Sequence, residues 1–196
     1  MKRIPALLLA LLLATAASIG AAAASPPARL KAGVFEPPRA APEFSLQGSD
    51  GTELKLARYR GKVVLMSFGF SHCAAVCPIT LATLAKARKS LSSAADAVQV
   101  MFVTVDPERD DAARMKTWLA AFDPGFVGGT GNPDTLAAMR KSYGVVANKH
   151  PVEGGYVMDH SSSIFLIDRE GRLRAVMPYG HAANDFVHDI KLLLAQ

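Results

Sequence analysis

Two short stretches in the middle of this chain are apolar at almost every position. Val63-Val64-Leu65-Met66-Ser67-Phe68-Gly69-Phe70 is one, and Val98-Gln99-Val100-Met101-Phe102-Val103-Thr104-Val105 is the other. Runs of this kind are expected of strands covered on both sheet faces. Between them, Pro78 to Leu91 carries Leu81, Leu84, Ala85 and Leu91 at roughly helical spacing. Strand, helix and strand at this length predict a βαβ unit.

Ahead of it, Leu46 to Leu54 places the turn residues Gly48-Ser49-Asp50-Gly51 between two short apolar ends, which predicts a small hairpin. After it, Asp106-Pro107-Glu108-Arg109-Asp110 leads into a helix through Met115, Trp118, Leu119 and Phe122, closed by Pro124-Gly125. Asn132-Pro133-Asp134 starts another that runs to Tyr143 before Gly144, and a loop containing His150 and Gly154-Gly155 follows. Ile164 to Ile167 and Leu173 to Met177 flank the turn Asp168-Arg169-Glu170-Gly171, so these two strands should be antiparallel. A last helix is expected from Ala182 to Leu194. The order βαβ, helices, then ββα is that of a thioredoxin-like α/β domain, a central mixed sheet flanked by helices.

The first 42 residues read differently. Lys2 and Arg3 precede the apolar stretch Leu7 to Ala24, and Ala22-Ala23-Ala24 offers the small residues a signal peptidase accepts. Residues 1–24 therefore read as a signal peptide. The alternative is a retained N-terminal anchor, since Ile4 to Ala24 is long enough for a bilayer that takes ~20 residues. Either way the protein is exported, into a periplasm or an equivalent compartment, and meets the membrane only through this segment if it stays uncut. Residues 25–42 hold Pro26, Pro27, Pro37, Pro38 and Pro42 and read as a stiff, solvated tether. Residues 43–196 are then one domain of ordinary size.

Net charge is +5, and Lys2 and Arg3 belong to the leader, leaving +3 for the exported part. The basic residues are scattered, with one short cluster at Lys86, Arg88 and Lys89. No basic stripe interleaves with aromatics, which argues against nucleic acid as a partner.

The chain has two cysteines, Cys73 and Cys77, in Phe70-Ser71-His72-Cys73-Ala74-Ala75-Val76-Cys77-Pro78, where a predicted strand gives way to a predicted helix. Pro78 suits the first helical turn, which puts Cys77 near the N-cap and Cys73 in the loop entering it. Unpaired N–H groups there favour a thiolate, so at least one thiol should be more acidic than free cysteine. Three chemistries fit the pair: an inert structural disulfide, disulfide exchange, or a soft metal such as Cu(I) completed by an imidazole. In an exporting compartment the thiols would need a reductant before they could work.

Among the five histidines, His72 should face away from Cys73, and His150, His181 and His188 read as solvated. His160 precedes the strand Ile164 to Ile167, which should lie beside the strand leading to Cys73. In thioredoxin-like folds that approach segment abuts the cysteine helix. Met158 reads as a packing residue and Asp106 as an N-cap for the helix after it.

Gly69 to Pro78, Val103-Thr104-Val105-Asp106-Pro107-Glu108-Arg109-Asp110, Phe122-Asp123-Pro124 and Asp159-His160-Ser161 together resemble the SCO/SenC proteins. That family comprises copper-binding, thioredoxin-like assembly factors for cytochrome c oxidase, and the resemblance covers residues 43–196. It implies that Cys73, Cys77 and His160 bind a copper ion destined for the dinuclear copper (CuA) centre in the copper-bearing subunit of cytochrome c oxidase. Other copper carriers or thiol reductants would be further partners. Ala74-Ala75 stands where the family commonly has Pro-Asp. The other reading is a thiol-disulfide oxidoreductase using Cys73 and Cys77 as its redox pair. Against it, Tyr156 to Ser163 lacks the proline that such enzymes place opposite their cysteines. A peroxidase is disfavoured because no Pro-x-x-x-Thr-x-x-Cys run is present.

Overall fold

A computed structural model describes residues 29–196. The expected leader, 1–24, lies outside them, and among the described residues no helix is long and apolar enough to cross a membrane. In chain order the elements are β1 (Gly33–Ala40), β2 (Ser45–Gly48), β3 (Glu53–Lys55), β4 (Val63–Gly69), α1 (Val76–Ser90), β5 (Val98–Thr104) and α2 (Ala112–Ala120). They continue with β6 (Val127–Thr130), α3 (Pro133–Tyr143), β7 (Ala147–Val152), β8 (Gly155–His160), β9 (Ile164–Ile167), β10 (Arg172–Met177) and α4 (Ala183–Leu194).

Eight strands form one mixed sheet in the order β1-β10-β9-β4-β5-β6-β2-β3. β4, β5 and β6 are parallel, whereas β9 runs antiparallel to β4 and β10 to β9. The apolar runs are buried on both faces, as their composition demands. Val63 and Leu65 point toward Leu81 and Leu84 of α1 and Phe186 and Ile190 of α4. Val64, Met66 and Phe68 alternate to the opposite face, against Leu136, Met139 and Tyr143 of α3. Burying each such side chain contributes about 1.5–3 kcal/mol. The thioredoxin-like arrangement read from the element order is the arrangement found.

Four departures from the sequence reading have physical causes. First, part of the expected tether is structured: Gly33–Ala40 forms β1, an edge strand antiparallel to β10 with an irregular register between Val34 and Arg39. Pro37 and Pro38 fall in that irregular stretch, and an edge strand tolerates prolines because one side of it has no ladder to complete. The backbone N–H groups of Lys31 and Ala32 donate to the buried carboxylate of Asp189 on α4, which ties the segment down before the strand begins. Second, Val127–Thr130 is a strand although it reads Val-Gly-Gly-Thr. Third, the expected loop holding His150 is a hairpin of β7 and β8, closed by the two residues Glu153-Gly154 with Gly154 at φ +78°. Fourth, α1 begins at Val76, two residues before Pro78.

Candidate metal centre

β4 delivers the chain to Phe70, and the backbone then turns so that the N–H of Cys73 donates to the Phe70 carbonyl at 3.2 Å. Helix α1 follows with Ala75 at its N-cap, a residue that offers no side-chain acceptor. The cap position is served instead by sulfur: the Cys77 N–H points at Cys73 Sγ, 3.5 Å away. Cys73 is partly exposed and Cys77 is 3 % exposed. Close approach of Cys77 to the sheet requires Gly69, because a Cβ there would stand 2.7 Å from Cys77 Sγ and 2.6 Å from the Phe102 ring.

The two thiols are not equivalent. Burial works against the Cys73 thiolate, yet the backbone N–H groups of Cys77, Ala75 and Val76 outweigh it and lower that thiol below its ordinary value. Burial dominates at Cys77 and, with the neighbouring Cys73 and Asp110 charges, pushes it up to about 12. The acidic thiol expected at the helix start is thus Cys73.

His160 ends β8 and reaches the pair. Its Nε2 lies 3.5 Å from Cys77 Sγ, and its Nδ1 is 2.8 Å from the Ser161 carbonyl. With the Nδ1 proton donated to that carbonyl, the Nε2 lone pair faces the sulfurs, the orientation a metal-binding imidazole needs. The Phe70 ring meets the imidazole edge to face at 5.8 Å and 84°. Cys73, Cys77 and His160 bring three ligand atoms within 4.8 Å of one another. Two soft sulfurs and one imidazole form a donor set that suits Cu(I).

The remaining candidates lie elsewhere. His72 is exposed beside the Ser71 hydroxyl. His150 pairs with Asp159 at 3.1 Å, His181 with Asp185 at 3.4 Å and His188 with Asp189 at 2.8 Å. Met158 packs against the core on the α3 side of the sheet. Asp106 is not the N-cap of α2. That role belongs to Asp111, whose side chain accepts from the Arg114 N–H. Asp106 is buried and instead accepts from Tyr156 Oη at 2.7 Å and from Arg109 Nε.

One residue with a part in the site escaped the sequence reading. Asp110 is fully buried, and its carboxylate accepts from the Ser71 N–H at 2.9 Å and from Thr104 Oγ1 at 2.7 Å. It thereby fixes the start of the cysteine loop. Its sole sequence signal was its place at the end of Asp-Pro-Glu-Arg-Asp, which names no partner.

Known proteins are similar to this chain in sequence and fold. Over 157 residues the chain is 34% identical to the mouse mitochondrial SCO2 homologue, covering 78% of this chain and 62% of the mouse protein's length. The chain therefore spans less than two thirds of that relative. The copper-bound structure of Bradyrhizobium japonicum ScoI superposes with a TM-score of 0.74 at 35% identity, covering 79% of this chain and 99% of that one. Apo Sco1 from Thermus thermophilus gives 0.77 at 34% identity, over 85% and 98% of the two chains. The family model described as SCO1/SenC matches residues 34–195, from within β1 to just past α4. A match of that extent settles the kinship: this chain belongs to the SCO1/SenC family.

Proposed function

We propose that this protein binds a copper ion through Cys73, Cys77 and His160 and delivers it to the CuA centre of cytochrome c oxidase. The observation that carries this reading is the convergence of His160 on the two sulfurs across 83 positions of sequence. The copper-bound ScoI relative, similar over nearly its whole chain, supports the choice of metal. The family's association with cytochrome c oxidase assembly supports the choice of recipient. The protein acts outside the cytoplasm, sent there or anchored there by residues 1–24, and serves as a carrier rather than as an enzyme with turnover. Copper is its cargo: the three ligands hold the ion, and exchange with the recipient's cysteines releases it.

A second reading rests on the unequal thiols. Cys73 is accessible and acidic, whereas Cys77 is buried and protonated. That is the division between an attacking and a resolving cysteine. The Cys73 thiolate would attack a disulfide in the recipient and form a mixed disulfide. Cys77 would then pass its proton to the recipient thiolate released in that step and displace the recipient's second sulfur from Cys73, leaving Cys73–Cys77 oxidised and the recipient reduced.

Mixing the copper-loaded protein with the reduced, metal-free CuA domain separates the two. Carrier function predicts that the CuA absorption spectrum develops with the parent protein and fails with His160→Ala. No CuA signal, together with efficient reduction of an oxidised CuA domain by copper-free protein, would instead establish the reductase.

A further inference from the structure

The cysteines and the histidine do not stand on the same structural unit. Cys73 lies in the loop between β4 of the main sheet and α1, and Cys77 in α1, whereas His160 ends a hairpin that forms a two-stranded sheet of its own. His160 is joined to β9 of the main sheet through Ser161 to Ser163, and side-chain contacts add to that link in holding the hairpin against the cysteine loop. The contacts concentrate on one side chain. Tyr156, Met158 and His160 alternate along β8 and share one face, and all three are partly buried while Gly155, Val157 and Asp159 are exposed.

Tyr156 is clasped from several directions by the turn that follows β5. Its Oη donates to Asp106 at 2.7 Å, its carbonyl accepts from Arg109 Nη1 at 3.4 Å, and the Arg109 guanidinium lies 3.9 Å from its ring centroid. Lys149 Nζ lies 3.8 Å from the same centroid and pairs with Glu108 at 2.7 Å. Arg109 is shared with the cysteine side. Its guanidinium is 5.7 Å from the centroid of Phe70, the residue whose ring meets His160. The turn itself is closed by the N–H groups of Arg109 and Asp110 donating to the Asp106 carbonyl, and Asp110 continues to Ser71.

Resting on the copper-binding reading above, we propose that Tyr156 and Arg109 are positioning residues that hold the His160 strand against the cysteine loop, so that the imidazole reaches the metal. Neither touches the ion. They act through His160, and their removal leaves the two sulfurs in place while the third ligand loses its register. A planar guanidinium is required, because one ammonium cannot lie over the Tyr156 ring, pair with Asp106 and reach the Tyr156 carbonyl at the same time.

The test is a double-mutant cycle on the full chain in reduced form. Cu(I) affinity is read by competition with a chromophoric Cu(I) chelator for the parent, Tyr156→Phe, His160→Ala and the double variant, with thermal unfolding recorded for each. The expected result is a loss of about 10-fold for Tyr156→Phe, in the range seen for partners that orient a ligand. The loss for His160→Ala should be larger, and the double variant should bind no more weakly than His160→Ala. Arg109→Lys should repeat the pattern of Tyr156→Phe while preserving charge. Parental affinity in both Tyr156→Phe and Arg109→Lys would overturn the proposal. A 10-fold loss that persists in the His160→Ala background would do the same, because the effect would then not pass through His160. Failure of the copper-site reading is distinguishable: it appears as parental affinity in His160→Ala alone.

Discussion

Cys73 and Cys77 sit one helical turn apart and meet opposite environments, the first facing three backbone N–H groups and the second facing the core. Because only the thiolate reacts with an alkylating agent, the sign of each shift becomes a pH dependence. In metal-free, reduced protein, Cys73 should be alkylated with a midpoint below that of an ordinary thiol, while Cys77 stays unmodified through the same range. Mass spectrometry of each peptide across a pH series reads this directly, and equal reactivity would contradict the assignment. Ala75 belongs to the same argument. An Asp at this N-cap would accept the helix N–H groups that now serve sulfur. Ala75→Asp should therefore stabilise the protein by about 1 kcal/mol in urea unfolding and raise the Cys73 midpoint, since a carboxylate disfavours a neighbouring thiolate. At this scale the sequence was legible where chemistry is carried by residue type and spacing. Cys73 and Cys77 could be named from their junction between strand and helix. His160 needed the fold to bring it near. Asp106 was misread because Asp before Pro-Glu-Arg is equally well an N-cap, and its true partner Tyr156 lies 50 positions away.

Among the elements, β4 and α1 meet most closely at Gly69, and the loop between them is pinned by Asp110. A methyl group at position 69 would collide with Cys77 Sγ and Phe102, neither of which has room to retreat. Gly69→Ala should cost about 1–3 kcal/mol in denaturant unfolding and weaken copper binding by displacing Cys77. Asp110→Ala removes an acceptor from buried Ser71 and Thr104 groups. It should destabilise the fold by about 1–3 kcal/mol for each donor left unpaired and loosen the cysteine loop, read as faster amide exchange at Ser71 to Cys73. The elements that escaped sequence reading are those in which composition is set by neighbours instead of by the strand. β6 contains two glycines because a Cβ at 128 would strike Met115 and one at 129 would strike Leu54 and Leu46. β8 buries one face only in part and β7 is exposed beyond Ala147, so no apolar run announces them. Their Glu153-Gly154 turn was the one local signal available.

For the molecule as a whole, the boundary of the folded unit lies before residue 43. β1 covers the edge strand β10, and Lys31 and Ala32 satisfy Asp189, a carboxylate with no exposed surface. A chain beginning at residue 43 should unfold at a lower temperature than one beginning at residue 29. Its Asp189 would lose the two backbone donors and keep His188 as its remaining hydrogen-bond partner. Equal unfolding temperatures would restore the shorter domain. The central sheet places the cysteine loop, the turn after β5 and the histidine hairpin at one end of β4, β5 and β9, which is why ligands so distant in sequence become neighbours. X-ray absorption at the copper edge, on the copper-loaded full chain beside its His160→Ala variant, measures that convergence most directly. A shell of two sulfurs and one imidazole nitrogen is expected in the parent, with the nitrogen lost in the variant; a shell of sulfur alone, or one that the substitution leaves unchanged, would contradict the three-ligand site.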